Sequence, residues 1–264
     1  TPANIEAANE AGGEKNVATG YHAIEFLLWG QDTSDTGPGA RPYTDYVTDG
    51  TGTAANQDRR GQFLSVCGDL LVTHLTMLRD AWADGGNYGS AFVKGGDASI
   101  EKILTGMIVL AGFETGGERL QAALDAGDRE EEHSCFSDNT HNSHYYNGQG
   151  IQNVYTGTYR RVDGSVVSGP SLSDLVEQTN PELDARLNRQ LDASMEALAL
   201  MKARAESSQN PMAFDTMIAP GNAEGTRIIN GAIMALVEQT GSIEQAARQL
   251  GIQGLSPDDA GHSF

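Results

Sequence analysis

Apolar positions recur at helical spacing over most of the chain, and no stretch of useful length alternates as a strand would. Residues 3–30 read as a helix interrupted near Gly12-Gly13 and ended by Gly30, followed by a Gly/Pro/Asp/Thr-rich loop from Gln31 to Gly52. Residues 54–83 place Phe63, Leu64, Cys67, Leu70, Leu71, His74, Leu75, Leu78 and Trp82 along one stripe, with Gly85-Gly86 as the stop. His74, lying on that stripe, reads as a satisfied core histidine, and the two tryptophans read as core aromatics. Ser99 to Ala126 predicts a third helix with glycines at 112, 116 and 117, where a kink or a close packing contact is expected.

A polar stretch from Gly127 to Gly150 follows, and Ile151 to Tyr159 reads as a short helix or irregular. A short helix is expected from Ser171 to Gln178. Asn180-Pro181 then gives an N-cap and a proline in the first turn of a helix reaching about Ser207. The last helix covers Asn222 to Gln239, and Ser242 with Gln245 has the spacing of a capping box for a further short helix to Leu250. The fold class is all-α, with apolar helical stripes packed into bundles.

Within this pattern one segment stands apart. Gly20-Tyr21-His22-Ala23-Ile24-Glu25-Phe26-Leu27-Leu28-Trp29-Gly30 sets two ionisable groups three residues apart in an otherwise apolar run. On a helix they share a face. Burying both is costly unless they pair or bind something. The plain reading is a structural His/Glu pair. The functional reading is metal ligation, since imidazole and carboxylate both bind zinc or iron. No HExxH is present to supply two histidines and a general base.

Charge narrows the partners. The 264 residues carry 36 acids against 17 bases, a formal net charge of -19, which disfavours nucleic acid and anionic membrane surfaces. No apolar run reaches the roughly 18–20 residues of a membrane span. The chain opens at Thr1-Pro2 without a Met and reads as a processed or truncated product. Two cysteines without a CxxC cannot form a thiolate zinc site, and a Cys67–Cys135 disulfide is the favoured expectation. His262 lies next to the terminus, where order is commonly low.

The residues Gly20, His22 and Glu25 within GYHAIEFLLWGQD resemble the GxHxxE hallmark of the imelysin family. The resemblance continues in Gly37-Pro38-Gly39 with Arg41-Pro42-Tyr43-Thr44-Asp45-Tyr46, in Glu131-Glu132-His133-Ser134-Cys135-Phe136-Ser137-Asp138-Asn139-Thr140-His141, and in Tyr146-Asn147-Gly148-Gln149-Gly150-Ile151. It implies an all-helical fold of two bundle-like halves with the GxHxxE site near their interface. Only about twenty residues precede the motif where the family carries further helices, so the first half is expected to be incomplete or supplied by a separate segment. Residues 1–150 would form the GxHxxE-bearing region with its polar loop, and 151–264 a C-terminal helical region of the same domain.

The resemblance also implies an exported bacterial protein of the periplasm or outer membrane. It would bind a metal ion, iron or zinc, or an iron-containing ligand, and act with other iron-uptake components. Some family members are classed as metallopeptidases; a non-catalytic binding or scaffold module is the third reading. The 131–144 loop is expected to fold over the His22/Glu25 face, with Asp138 and His141 as extra metal donors and Glu118 as a further candidate. Ser134 and Ser137 lie close to His133 and His141 without a nucleophile elbow, which supports nucleophilic catalysis only weakly.

Overall fold

A computed structural model describes residues 1–13, 16–34, 36–253 and 255 of the chain; His262 lies outside the described residues. The protein is mainly helical, and its chain divides into two compact units, Thr1–Lys94 with Ser134–Asp138, and Gly95–His133 with Asn139–Phe264.

The first unit contains α1 (Pro2–Ala8), α2 (Gly20–Trp29), a 3-10 turn (Tyr43–Tyr46), α3 (Gln57–Trp82) and α4 (Asn87–Lys94). The segment expected to be one interrupted helix over 3–30 is two helices. Between them Asn9 Oδ1 accepts from the backbone N–H groups of Ala18 and Thr19 at 2.9 and 3.2 Å, bracing the entry to α2. The core here is small: Ala23 and Leu27 of α2 bury against Cys67 of α3, with Ile5, Ile24, Phe63 and Leu64 around them.

The second half of α3 is only thinly covered. Val72, Leu75, Leu78 and Trp82 are exposed, and Trp29 is also part-exposed, so neither tryptophan is a core residue. His74 is likewise not in the core. It is half-exposed, and its Nε2 lies 3.1 Å from Glu6 Oε1 of α1.

The second unit holds the main core. It runs through α5 (Asp97–Ile108), a π-helical segment (Val109–Gln121), α6 (Ala122–Ala126), α7 (Thr140–Thr156), a hairpin of β1 (Thr158–Arg160) and β2 (Val166–Ser168), α8 (Leu172–Thr179), α9 (Pro181–Ala205), α10 (Phe214–Ile218) and α11 (Ala223–Gln249). α9 packs along α11 and α7, and the α5–π run lies against α11 and α7, enclosing Leu104, Leu120, Leu187, Leu198, Ile229 and Leu236. The caps at Ser171 and Asn180 form as their sequence predicts: Ser171 and Asp174 make a reciprocal capping box, and Asn180 Oδ1 accepts from Leu183 N.

Three elements depart from the expected pattern. The glycines at 112, 116 and 117 lie in a π-helical segment, where Ala122 N donates to Gly117 O, five residues back, and Gly112 makes the expected close contact, since a Cβ there would lie 3.2 Å from Thr240 Oγ1 of α11. Ser242 starts no new helix, because α11 runs through it and buries it. The polar stretch 127–150 is helical from Thr140. Its inner stripe is His141, His144, Gly148, Ile151 and Tyr155, spaced three and four apart, and histidine and glycine disguise that period in a hydrophobicity reading. Gly148 is there for contact: a Cβ would overlap the Leu198 side chain of α9 and meet Met195 Sδ at 3.2 Å.

Candidate functional site around His22, Glu25 and Ser137

α2 starts on Gly20, whose φ of +81° is a backbone conformation that favours glycine. The glycine of GxHxxE thus serves the backbone, setting the angle at which the helix leaves Thr19. His22 and Glu25 then project together, and Nδ1 of the imidazole lies 2.7 Å from Oε2 of the carboxylate. The pair is unequally covered: the side chain of His22 is 40% exposed and that of Glu25 10%.

Glu25 is engaged on its other oxygen too. Oε1 accepts from the backbone N–H of Ser137 at 3.0 Å and from its hydroxyl at 2.6 Å. Burial alone would raise the pKa of this carboxyl, but the hydrogen bonds from His22 and Ser137 outweigh it and leave Glu25 below the usual carboxylate range. The carboxylate is therefore ionised wherever the pair is intact at neutral pH.

The second sequence block, Gly37 to Tyr46, builds the support. The last carbonyls of α2 have no partner within the helix. Gly30 N donates to Phe26 O at 2.8 Å, Arg41 N to Trp29 O at 2.8 Å, Arg41 Nη2 to Phe26 O at 3.3 Å, and the Tyr46 hydroxyl to Leu27 O. A guanidinium at a helix C-terminus also complements the helix dipole. Arg41 is in turn held by Asp45 at 3.1 Å and covers the Phe26 ring.

Gly39 links this cap to the Ser137 segment. Its N–H donates to Phe136 O at 3.0 Å, and a Cβ at this position would lie 2.7 Å from Trp29 O, 2.8 Å from Gly30 O and 3.1 Å from Phe136 O. The Phe136 ring meets Phe26 edge-on, with centroids 5.0 Å apart. Ser137 is consequently fixed to α2 through the residue before it as well as through Glu25.

The other candidates from sequence are divided between the two units. Asp138 follows Ser137 in the first unit and is buried, with a positive φ of 52°. His141 belongs to the second unit, where its Nε2 is 3.4 Å from Glu206 Oε1 and 3.2 Å from Asn142 Nδ2. Glu118 is exposed on the π-helical segment, and its neighbour Arg119 pairs with Glu114 at 3.6 Å instead. Among the described residues, no group of three or more His, Cys, Asp or Glu side chains is arranged to hold a metal ion.

The expected disulfide is absent: Cys67 and Cys135 are not joined. Cys67 points into the α2–α3 core, its Sγ contacts Ala18 O at 3.6 Å, and burial raises its thiol pKa.

Sequence reasoning undervalued His144. It is fully buried in the second unit, parallel to the His133 ring at 6.0 Å and edge-on to Phe214 at 5.4 Å. Burial, with the nearby charges of His133, Arg119 and His141, lowers its pKa to about 3. The ring is therefore neutral at physiological pH, a core residue more than a proton carrier.

These features define a helical protein whose GxHxxE helix carries a preformed, serine-braced His/Glu pair. Residues 1–243 match the family model of imelysin, peptidase M75, and the chain belongs to the imelysin family. A crystal structure of a candidate iron-regulated protein A precursor from Parabacteroides distasonis has the same fold. It aligns with a TM-score of 0.65 at 18% identity, over 94% of this chain and 70% of that one. No curated protein matches the chain. No helix among the described residues is long and apolar enough to cross a membrane.

Proposed function

We propose that this protein has an iron-related binding role, taking up iron or an iron-containing ligand at the His22/Glu25 pair as part of bacterial iron acquisition. The observation that carries the reading is the pair itself: an imidazole held 2.7 Å from an ionised carboxylate that Ser137 fixes in place. Imidazole is a good donor to iron, and a geometry fixed beforehand lowers the cost of binding. Membership of the imelysin family and likeness to a candidate iron-regulated precursor support the same role.

Iron is cargo in this reading. Tight binding of a bare ion needs more donors than one imidazole, and the described residues supply no three-donor group. The reading therefore favours iron that arrives with ligands of its own, with His22 as the contact from the protein. The chain would act outside the cytoplasm, in the periplasm or at the outer membrane, alongside other uptake components; the precursor status of the Parabacteroides relative supports export. The metallopeptidase alternative would have the pair hold a metal that activates water, and the described residues supply no three-donor group for it.

Equilibrium dialysis with ferrous iron alone and with ferric citrate tests the role. Saturable binding of either, lost in His22→Ala with the fold intact, is expected. Absence of binding to both forms overturns it.

A further inference from the structure

The block Tyr146-Asn147-Gly148-Gln149-Gly150-Ile151 divides between two faces of α7. Gly148 and Ile151 turn inward, toward Leu198 and the main core. Tyr146, Gln149, Gly150 and Asn153, at i, i+3, i+4 and i+7, share another face and line a cleft of about 1060 Å³. The hairpin of β1 and β2 brings Tyr159, Arg160 and Arg161 to the same cleft, which lies wholly within the second unit.

Three kinds of group meet there. Tyrosine supplies the first: the rings of Tyr146 and Tyr159 are more than half exposed, and Tyr145 lies beside Tyr146 at 5.2 Å, edge-on. Lys202 Nζ sits over Tyr145 and Tyr146 at 5.1 and 5.3 Å, which holds the two rings in place. The second is a row of amides. Gln149 Nε2 donates to Gln152 Oε1 at 3.3 Å and to Asn153 Oδ1 at 3.1 Å, and Gln152 Nε2 donates to Asp192 Oδ1 at 2.8 Å. These bonds order the row and use only part of the donor and acceptor capacity of three amides.

The third is cationic. Arg160 Nη1 donates to Gly164 O at 3.3 Å and Arg161 Nη1 to Ser165 Oγ at 3.4 Å, and among the described residues neither guanidinium is paired with a carboxylate. Asp163, between them and the return strand, is turned to Ser165 instead, accepting from its N–H at 2.9 Å and its hydroxyl at 2.6 Å. In a chain with 36 acids against 17 bases, two adjacent arginines without an acid are a local reversal of charge. A guanidinium has five donors in a plane that matches a carboxylate.

We propose that this cleft binds an acidic saccharide, a short sugar chain bearing carboxylates. Tyrosine rings offer flat apolar faces to the sugar rings, the amide row takes the hydroxyls as donor and acceptor at once, and Arg160 and Arg161 take the carboxylates. An aliphatic ligand would need a mainly apolar lining, whereas this one is built of amides, tyrosines and arginines. The site is independent of the His22/Glu25 reading.

Isothermal titration calorimetry of the full chain tests it, with trigalacturonate and sialyllactose as acidic probes and maltotriose and citrate as controls. Saturable binding of at least one acidic saccharide is expected, at least about tenfold tighter than either control, as one charge-assisted hydrogen bond provides. Arg160→Gln combined with Arg161→Gln, both exposed positions, should weaken it by about tenfold or more. A Cβ at Gly150 meets nothing within 4 Å, so Gly150→Leu should keep or raise the melting temperature, since leucine favours a helix over glycine, while its side chain fills the cleft and lowers binding by a similar factor. Failure of both acidic saccharides to bind overturns the proposal. So does maltotriose or citrate binding as tightly, or unchanged binding in the arginine double variant or in a stably folded Gly150→Leu.

Discussion

Ser137 places two hydrogen bonds on one oxygen of Glu25 across 112 residues of chain, at 3.0 Å from its backbone N–H and 2.6 Å from its hydroxyl. This relationship makes the His/Glu pair of α2 a fixed object. A carboxylate opposed by an imidazole alone could rotate about its own side-chain torsions. One held from both sides has its orientation set before any ligand arrives.

Removing the hydroxyl should therefore be felt. Ser137→Ala leaves the backbone donor but removes one bond to a charged, well-covered acceptor, and is expected to cost about 1.5–3 kcal/mol. Urea denaturation of the variant against wild type checks this. Ser137→Thr should lie close to wild type, because it keeps the donor.

Gly39→Ala should be worse than its size suggests. The added methyl meets two carbonyl oxygens at 2.7 and 2.8 Å, both backbone, so neither can swing aside. Overpacking of this kind costs about 1–3 kcal/mol. Because the same backbone holds Phe136, the variant should also loosen the Ser137–Glu25 contact. A lower melting temperature together with weakened iron binding is the expected result.

Acid should destabilise the fold in two stages of the same sign. The folded pKa of His144 is about 3 against 6.5 for a free ring. The unfolded chain thus gains a proton that the native core refuses. Stability should fall as pH drops from about 6.5 toward 3, by up to ~1.4 kcal/mol per pH unit from this residue. Glu25 adds a later stage: its pKa is lowered from 4.5, so its contribution is whole above 4.5 and lost as pH falls through the lowered value. Denaturation midpoints measured from pH 7 to 4 should slope in wild type and flatten in His144→Phe above pH 4.5. An unchanged slope in that variant contradicts the assignment.

The cysteines give a redox expectation. With Cys67 and Cys135 not joined, reductant should leave the melting temperature unchanged, and non-reducing peptide mapping should find no Cys67–Cys135 cross-link. Cys67, buried and with a raised thiol pKa, should react slowly with thiol reagents in the native protein and at the ordinary rate once unfolded.

Most of the helical framework was legible because apolar period and end signals agree. Gln57–Trp82 and Pro181–Ala205 carry long stripes, and Ser171 and Asn180 sit where caps are needed. α7 was obscured because two histidines and a glycine occupy its inner stripe, and a property scale scores none of them as core. The single span of α11 was hidden by Ser242, whose capping spacing is overridden by burial within a longer helix. At the site, the i, i+3 spacing of His22 and Glu25 was enough to bring them together. Ser137 was out of reach of any local pattern, because its link to Glu25 depends on how Phe136 is held by Gly39 and Phe26. The loop's long-range donor to the pair is thus a serine, where acids and histidines had drawn attention as metal ligands.

The central claim is that the His22/Glu25 pair is the point at which this protein meets iron. Crystals of the wild-type protein soaked with ferric citrate and with ferrous iron, measured at the iron absorption edge, test this most directly. The account expects, in at least one of the two soaks, an anomalous peak beside the His22/Glu25 pair, with Glu25 still held by Ser137. Iron at a site remote from the pair, or a protein that stays iron-free with both forms, would contradict it.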